Sequence, residues 1–272
     1  MTMKTRKFRY LLLFAALMLI TLPSCFQDLG QNPPFDYPEE PPKPPITEEG
    51  QIFYMSFDTD YKDAVSSKEA TKAGTPNFAD GKIGKAYAGA QNSYLTFKLS
   101  DMVAQPGSDL TVGFWYKVNA VPDRAGLIVI GPVTEGASAD AQNNRTAGFR
   151  IFRENADGKQ RIKANVGNGT GDGWLDGTEK ADIDPATPGW KYITLTLTKG
   201  KAVLYINAEE VAANNLSQIS WYGCDIMSIG SGAPRFTEWG HLSDNSLIDD
   251  LRIYNRVLTV AEIKNIVLHD TE

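Results

Sequence analysis

The most regular pattern in the chain is Thr194-Leu195-Thr196-Leu197-Thr198, where polar and apolar positions alternate strictly, as in a strand with one buried and one wet face. Lys199-Gly200 supplies a turn and Val203-Leu204-Tyr205-Ile206 returns, so the pair reads as a hairpin. Short runs rich in Val, Ile, Tyr, Phe and Thr, each closed by Gly, Asn, Asp or Pro, recur after Gly50. They predict strands over 51–57, 86–88, 94–99, 110–118, 127–130, 148–153, 161–166, 191–198, 202–207, 226–230 and 247–254. One helix is expected near the end: Thr259 and Glu262 have the spacing of a capping box, and Ile263, Ile266 and Val267 form an apolar stripe that should pack on the strands. With no internal repeat and no second change of composition, 51–272 is expected to be one all-β sandwich domain with a short C-terminal helix.

Before Gly50 the pattern is different. Lys4, Arg6, Lys7 and Arg9 precede an apolar run from Tyr10 to Ile20, which is shorter than the roughly 20 residues a membrane-spanning helix needs. Residues 1–24 therefore read as a signal peptide. From 26 to 50 the chain carries Pro33, Pro34, Pro38, Pro41, Pro42, Pro44 and Pro45 and has no apolar face. At about 3.1 Å per residue, such a polyproline-like tether could hold a domain up to roughly 75 Å from its anchor. Leu22-Pro23-Ser24-Cys25 resembles the lipobox of bacterial lipoproteins, with Pro23 departing from the usual small residue. The resemblance implies a lipid on Cys25 and a place on the cell envelope, with the outer membrane expected and the inner membrane left open; secretion with a chance cysteine is the alternative. With Cys25 so used, Cys224 has no partner for a disulfide and reads as a small buried hydrophobe rather than a nucleophile.

Loss of the four basic residues of the leader takes the net charge from −6 to about −10. A surface of that sign repels nucleic acid. Catalysis has little support: His241 and His269 are the only histidines, and no G-x-S-x-G elbow is present. Asp182 and Asp184, in Glu179-Lys180-Ala181-Asp182-Ile183-Asp184, could share a strand face at a glycosidase-like separation. That stretch precedes Pro185 and reads as a solvated loop.

Four stretches together resemble the concanavalin A-like, laminin-G type of jelly roll. They are Tyr54 to Asp58; Tyr94 to Phe97 with Leu110-Thr111-Val112-Gly113-Phe114-Trp115-Tyr116-Lys117; Gly189-Trp190-Lys191-Tyr192 with Leu204 to Asn207; and Ser246-Leu247-Ile248-Asp249-Asp250-Leu251-Arg252-Ile253-Tyr254-Asn255-Arg256-Val257-Leu258-Thr259. Ala208 and Ser246 stand where the family usually has glycine, so the local turns there are expected to differ. The resemblance implies a jelly-roll fold and one structural calcium ion held by Asp58 and Asp249 with Asp60 or Asp250. One of Asp249 and Asp250 should point inward on an alternating strand, with Arg252 or backbone amides as the other way to satisfy it. A partial match to a calcium loop, Asn168 to Gly173 with Glu179, reads as a flexible glycine-rich loop.

The fold does not fix a function. Trp115 and Trp190 lie in apolar strands and should be core, whereas Trp174, Trp221 and Trp239 sit in turn-rich sequence. An exposed indole beside polar side chains suits sugar recognition, because the apolar face of a sugar stacks on the ring while its hydroxyls take polar partners. The expected function is non-catalytic carbohydrate binding through Asn168, Asp172, Trp174, Arg235 and Trp239, by a monomer. An adhesin or structural module that binds an envelope protein is the alternative, and a glycoside hydrolase a third.

Overall fold

The computed structural model describes residues 48–270. The leader, Cys25 and the tether as far as residue 47 lie outside the described residues.

Two sheets stack face to face, and every strand pairing is antiparallel. The first sheet has the order β14 (Glu209–Asn214), β13 (Ala202–Ile206), β12 (Lys191–Leu197), β6 (Leu110–Lys117), β16 (Leu247–Tyr254), β4 (Lys85–Ala88), β3 (Asn77–Asp80), with β1 (Gln51–Met55) also pairing with β16. The second has the order β10 (Asp172–Asp176), β9 (Lys159–Gly167), β8 (Phe149–Ala156), β7 (Arg124–Ile130), β15 (Ile226–Ile229), β5 (Tyr94–Lys98), β2 (Thr71–Ala73), with β11 (Asp182–Ile183) on β9. Alternate residues of both sheets meet in the middle, where Phe53, Phe97, Phe114, Ile151, Leu195 and Ile253 are buried. Each such side chain contributes roughly 1.5–3 kcal/mol through apolar burial. The helix α1 (Val260–His269) starts with the expected capping box between Thr259 and Glu262. Its Ile263 and Ile266 pack on the outer face of the first sheet against Trp115, Tyr192 and Tyr254, with Trp190 half-buried beside them.

The eleven predicted strands are all present, but the alternation in β12 misled in one respect. Thr194 and Thr196 are buried rather than wet, because Tyr205 stands opposite Thr194 and hydrogen-bonds Thr196. Five short strands, β2, β3, β10, β11 and β14, were not legible as apolar runs. The sites of the two missing family glycines have different explanations. Asn207 and Ala208 both take positive φ, 51° and 64°, so the β13–β14 turn keeps its left-handed geometry with a Cβ in place. Ser246 uses its hydroxyl: it hydrogen-bonds Tyr116 and Asp244 at the end of β16.

Candidate functional site

The expected site residues separate. Asp172, Trp174 and Asp176 point outward from β10 while Gly173 and Leu175 face inward. A Cβ at Gly173 would sit 1.8 Å from Leu216 Cδ2, so any larger residue there would have to displace the end of that side chain. Trp174 is 42 % exposed. Its ring meets the edge of Phe152 at 5.9 Å, and the Arg145 guanidinium lies 5.2 Å from its centroid. Arg145 is also 3.6 Å from Asp172, so the indole is braced on two sides. Asn168 lies at the tip of the β9–β10 hairpin, where its Oδ1 accepts the amides of Thr170 and Gly171. Those bonds make the stretch an ordered turn rather than a loose loop, and they leave Asn168 shaping the hairpin.

Arg235 is committed to Asp225, at 2.7 and 2.8 Å. Trp239 is 54 % exposed on a separate loop, and its carbonyl accepts Arg124 Nη1 at 3.0 Å. Trp221 is structural: its N–H donates to the Gly107 carbonyl and its ring packs edge-on against Phe149.

Sequence reasoning missed the side chains between the two exposed tryptophans. Strands β8, β9 and β10 turn Glu154, Lys163, Arg161 and Asp176 to the outer face of the second sheet. Lys163 Nζ lies 3.1 Å from Glu154 and 2.9 Å from Asp176, and Arg161 holds Asp182 with two bonds of 2.6 and 3.1 Å. Arg124 approaches Glu154 at 3.8 Å, and His241 Nε2 is 3.0 Å from the same carboxylate. The signal was present as period-two alternation in Arg161 to Asn165, with charge on the face away from the core.

The electrostatics follow from these contacts. The hydrogen bond with His241, aided by Lys163 and opposed by burial, holds the Glu154 carboxyl at about 2. Burial pushes Asp176 up, but the bonds from Lys163 and the Thr178 amide outweigh it and keep the carboxyl below the usual range. Burial raises the Cys224 thiol to about 11, which suits a packing role and not a nucleophile.

A sequence model described as "Concanavalin A-like lectin/glucanases superfamily", of laminin G type, matches residues 88–264. The chain belongs to this superfamily. No curated protein shows significant sequence similarity to it. Among solved structures, domain 4 of AbnA, a GH43 extracellular arabinanase from Geobacillus stearothermophilus, in complex with arabinotriose, superposes with a TM-score of 0.59 at 20 % identity, over 81 % of this chain and all of that one. The receptor binding domain of botulinum neurotoxin C/D mosaic serotype superposes with a TM-score of 0.57 at 14 % identity, over 81 % of this chain. The binding domain of botulinum neurotoxin serotype C1 gives 0.58 at 12 % identity over 82 %. This chain spans about half the length of the two toxin domains, 51 % and 52 %.

The acidic residues that the laminin-G resemblance assigns to calcium do not gather as a set of four. Register slips between Asp249 and Arg252, where Asp250 takes φ 50°. Both aspartates are buried, as is every residue of β16 from Ile248 to Tyr254. Asp250 accepts the Tyr54 hydroxyl at 2.5 Å and lies 3.4 Å from Arg252. Asp60 is exposed and accepts the Lys62 amide. Asp249 Oδ2 accepts the amides of Lys82 and Ile83, while its Oδ1 is buried without a partner. Burial raises this carboxyl to about 7. Asp58 accepts the Lys85 amide beside the same turn, at Gly84. Among the described residues no three Asp, Glu, His or Cys side chains stand together as a metal cage. Asp249 and Asp58 thus take main-chain amides of one turn, between Lys82 and Lys85, as their hydrogen-bond donors.

Proposed function

We propose that this protein is a non-catalytic glycan-binding module of the cell envelope and that it engages its glycan on the outer face of the second sheet. The observation that carries the reading is Trp174: a half-exposed indole on a strand, braced by Phe152 and Arg145, beside a strip of charged hydrogen-bonding groups. A ring fixed in this way costs little ordering on binding, and Lys163, Asp176 and Asp172 are placed to meet hydroxyl groups next to it. The arabinotriose complex of the AbnA domain is consistent with this use of the fold.

The same strip supports a binding role over hydrolysis. Glu154 and Asp176 share one ammonium group, which keeps them no more than about 6 Å apart, within the roughly 5–9.5 Å that glycosidases use. A glycosidase also needs one carboxylic acid that keeps its proton near neutral pH. Here Lys163 helps hold both carboxyls below their ordinary values, so neither is placed to protonate a leaving group.

The test is a broad glycan array probed with the intact protein and with Trp174→Ala. Selective binding that weakens at least tenfold in the variant, about 1.4 kcal/mol, supports the reading. A blank array with a folded protein overturns it and leaves the envelope-protein adhesin. Attachment through a lipid on Cys25 is part of the proposal, and it predicts that radiolabelled palmitate enters the protein in cells but does not enter Cys25→Ser.

A further inference from the structure

A cavity of about 310 Å³ opens at the end of the sandwich where β16 begins, and it contributes nothing to the charged strip. Gln91, Asn92, Ser243 and Asn245 supply its polar wall, and Val121 and Leu242 its apolar one. None of its lining side chains is ionisable. Asn245 also lines the cavity, with its Oδ1 turned into the protein, where it is buried without a hydrogen-bond partner. Val121 and Leu242 remain exposed at its rim, next to the loop that carries Trp239.

The walls come from three loops, and a buried ionic network ties two of them together. Arg153 and Asp244 are 0 % and 1 % exposed and lie 2.8 Å apart. Arg153 also donates to the Pro122 carbonyl, at 2.7 Å. Asp244 accepts the Ser246 hydroxyl, and that hydroxyl accepts the Asn119 amide at 2.8 Å. The third loop is fixed separately: Ser93 accepts the Thr75 amide, and its own carbonyl accepts the Tyr87 hydroxyl. The loop that brings Leu242 and Ser243 is closed by the Gly232 amide on the His241 carbonyl and by the Gly126 amide on the Leu242 carbonyl. A pocket pinned on all sides is preorganised, so little of its binding energy would go into ordering.

From this we infer that the cavity is a second subsite, which takes a single neutral sugar ring, the terminal residue of a glycan. Its volume lies at the small end of the roughly 300–1,000 Å³ of ligand pockets, which favours one ring over a polysaccharide stretch. A lining that combines amide and hydroxyl groups with aliphatic side chains matches a sugar's hydroxyl edge and its apolar C–H face. A wall without cations gives a carboxylated sugar no counter-charge, so uronic and sialic acids should be rejected. The inference rests on the glycan-binding reading and adds a site and a ligand class to it.

The test is amide NMR of the intact protein titrated with the methyl glycosides of glucose, galactose, mannose and arabinose, with glucuronic acid as the charged control. One neutral glycoside should shift the amides of Gly240, Leu242 and Asn245 saturably. Asn245→Leu should weaken it at least tenfold. Gln91→Ala, at an exposed position where folding is not at stake, should weaken it severalfold. The inference is overturned if no neutral glycoside moves those amides, if glucuronic acid binds there as well, or if Asn245→Leu and Gln91→Ala both titrate like the parent. Array binding lost in Trp174→Ala, together with silent pocket amides, would sink the subsite alone. An array and a titration that are both blank would sink it together with the glycan reading.

Discussion

The two outer faces of the sandwich are treated in opposite ways. On the first sheet, α1 covers Trp115, Tyr192 and Tyr254, and beneath its C-terminal end Arg252 sits between Asp250 and Asp270 at 3.4 and 3.1 Å, with the Trp115 N–H also donating to Asp270. On the second sheet no α-helix intervenes among the described residues, and Glu154, Lys163 and Asp176 form their ion pairs at the surface. Similar charge chemistry is structural where it is sealed and available to a ligand where it is open. The difference comes from what covers the face and not from residue type.

The largest effect should come from breaking the sealed network. Arg252→Met leaves two buried carboxylates unpaired and should cost about 3–5 kcal/mol in a urea melt, whereas Lys163→Met on the open face should cost under about 1 kcal/mol. Equal losses would erase the distinction between the faces.

A calcium ion, if it binds beside the covered face at Asp249 and Asp58, should stabilise the parent by about 2.7 kcal/mol at a hundredfold excess over its Kd. Differential scanning calorimetry with calcium and with chelator would show this as a rise in Tm that Asp249→Asn abolishes. Identical melts in both buffers would remove calcium from the account.

The pH response of the open face should be smaller than the calcium effect. The Glu154 carboxyl sits at about 2 in the fold against an ordinary 4.5, so the folded state binds its proton less tightly than the unfolded chain does. Its contribution, on the order of 2 kcal/mol after allowance for solvent screening, is complete above pH 4.5 and is lost as pH falls toward 2. The stability gap between the parent and Glu154→Gln should therefore close across that window. A gap that stays constant would mean that Glu154 acts through packing.

The central strands and the helix cap were legible because each is a local pattern: alternation, an apolar run, or Thr259 with Glu262 at the right spacing. The edge strand β10 was not, since Gly173 supplies the inward position that an apolar side chain would normally mark. Trp174 and Asp172 were legible as candidates by residue type. Their neighbours Lys163 and Glu154 were not, because they meet only when β8 and β9 pair. Arg235, four residues before the exposed Trp239, bonds Asp225 through its guanidinium, a partner that its sequence neighbours do not reveal. The bulge at Asp250 is a matter of register, which no count of acidic residues can reveal.

The pairing of β1 with β16 has a mechanical consequence. Gln51 enters beside Tyr254, whereas the cavity loops lie past the other end of β16, at Leu247. A pull between Gln51 and the far end of β16 runs along both strands. Ladder bonds lie across the strands, so such a load shears the whole row at once instead of unzipping it bond by bond. The first strand of the domain is thereby placed to bear tension along its length.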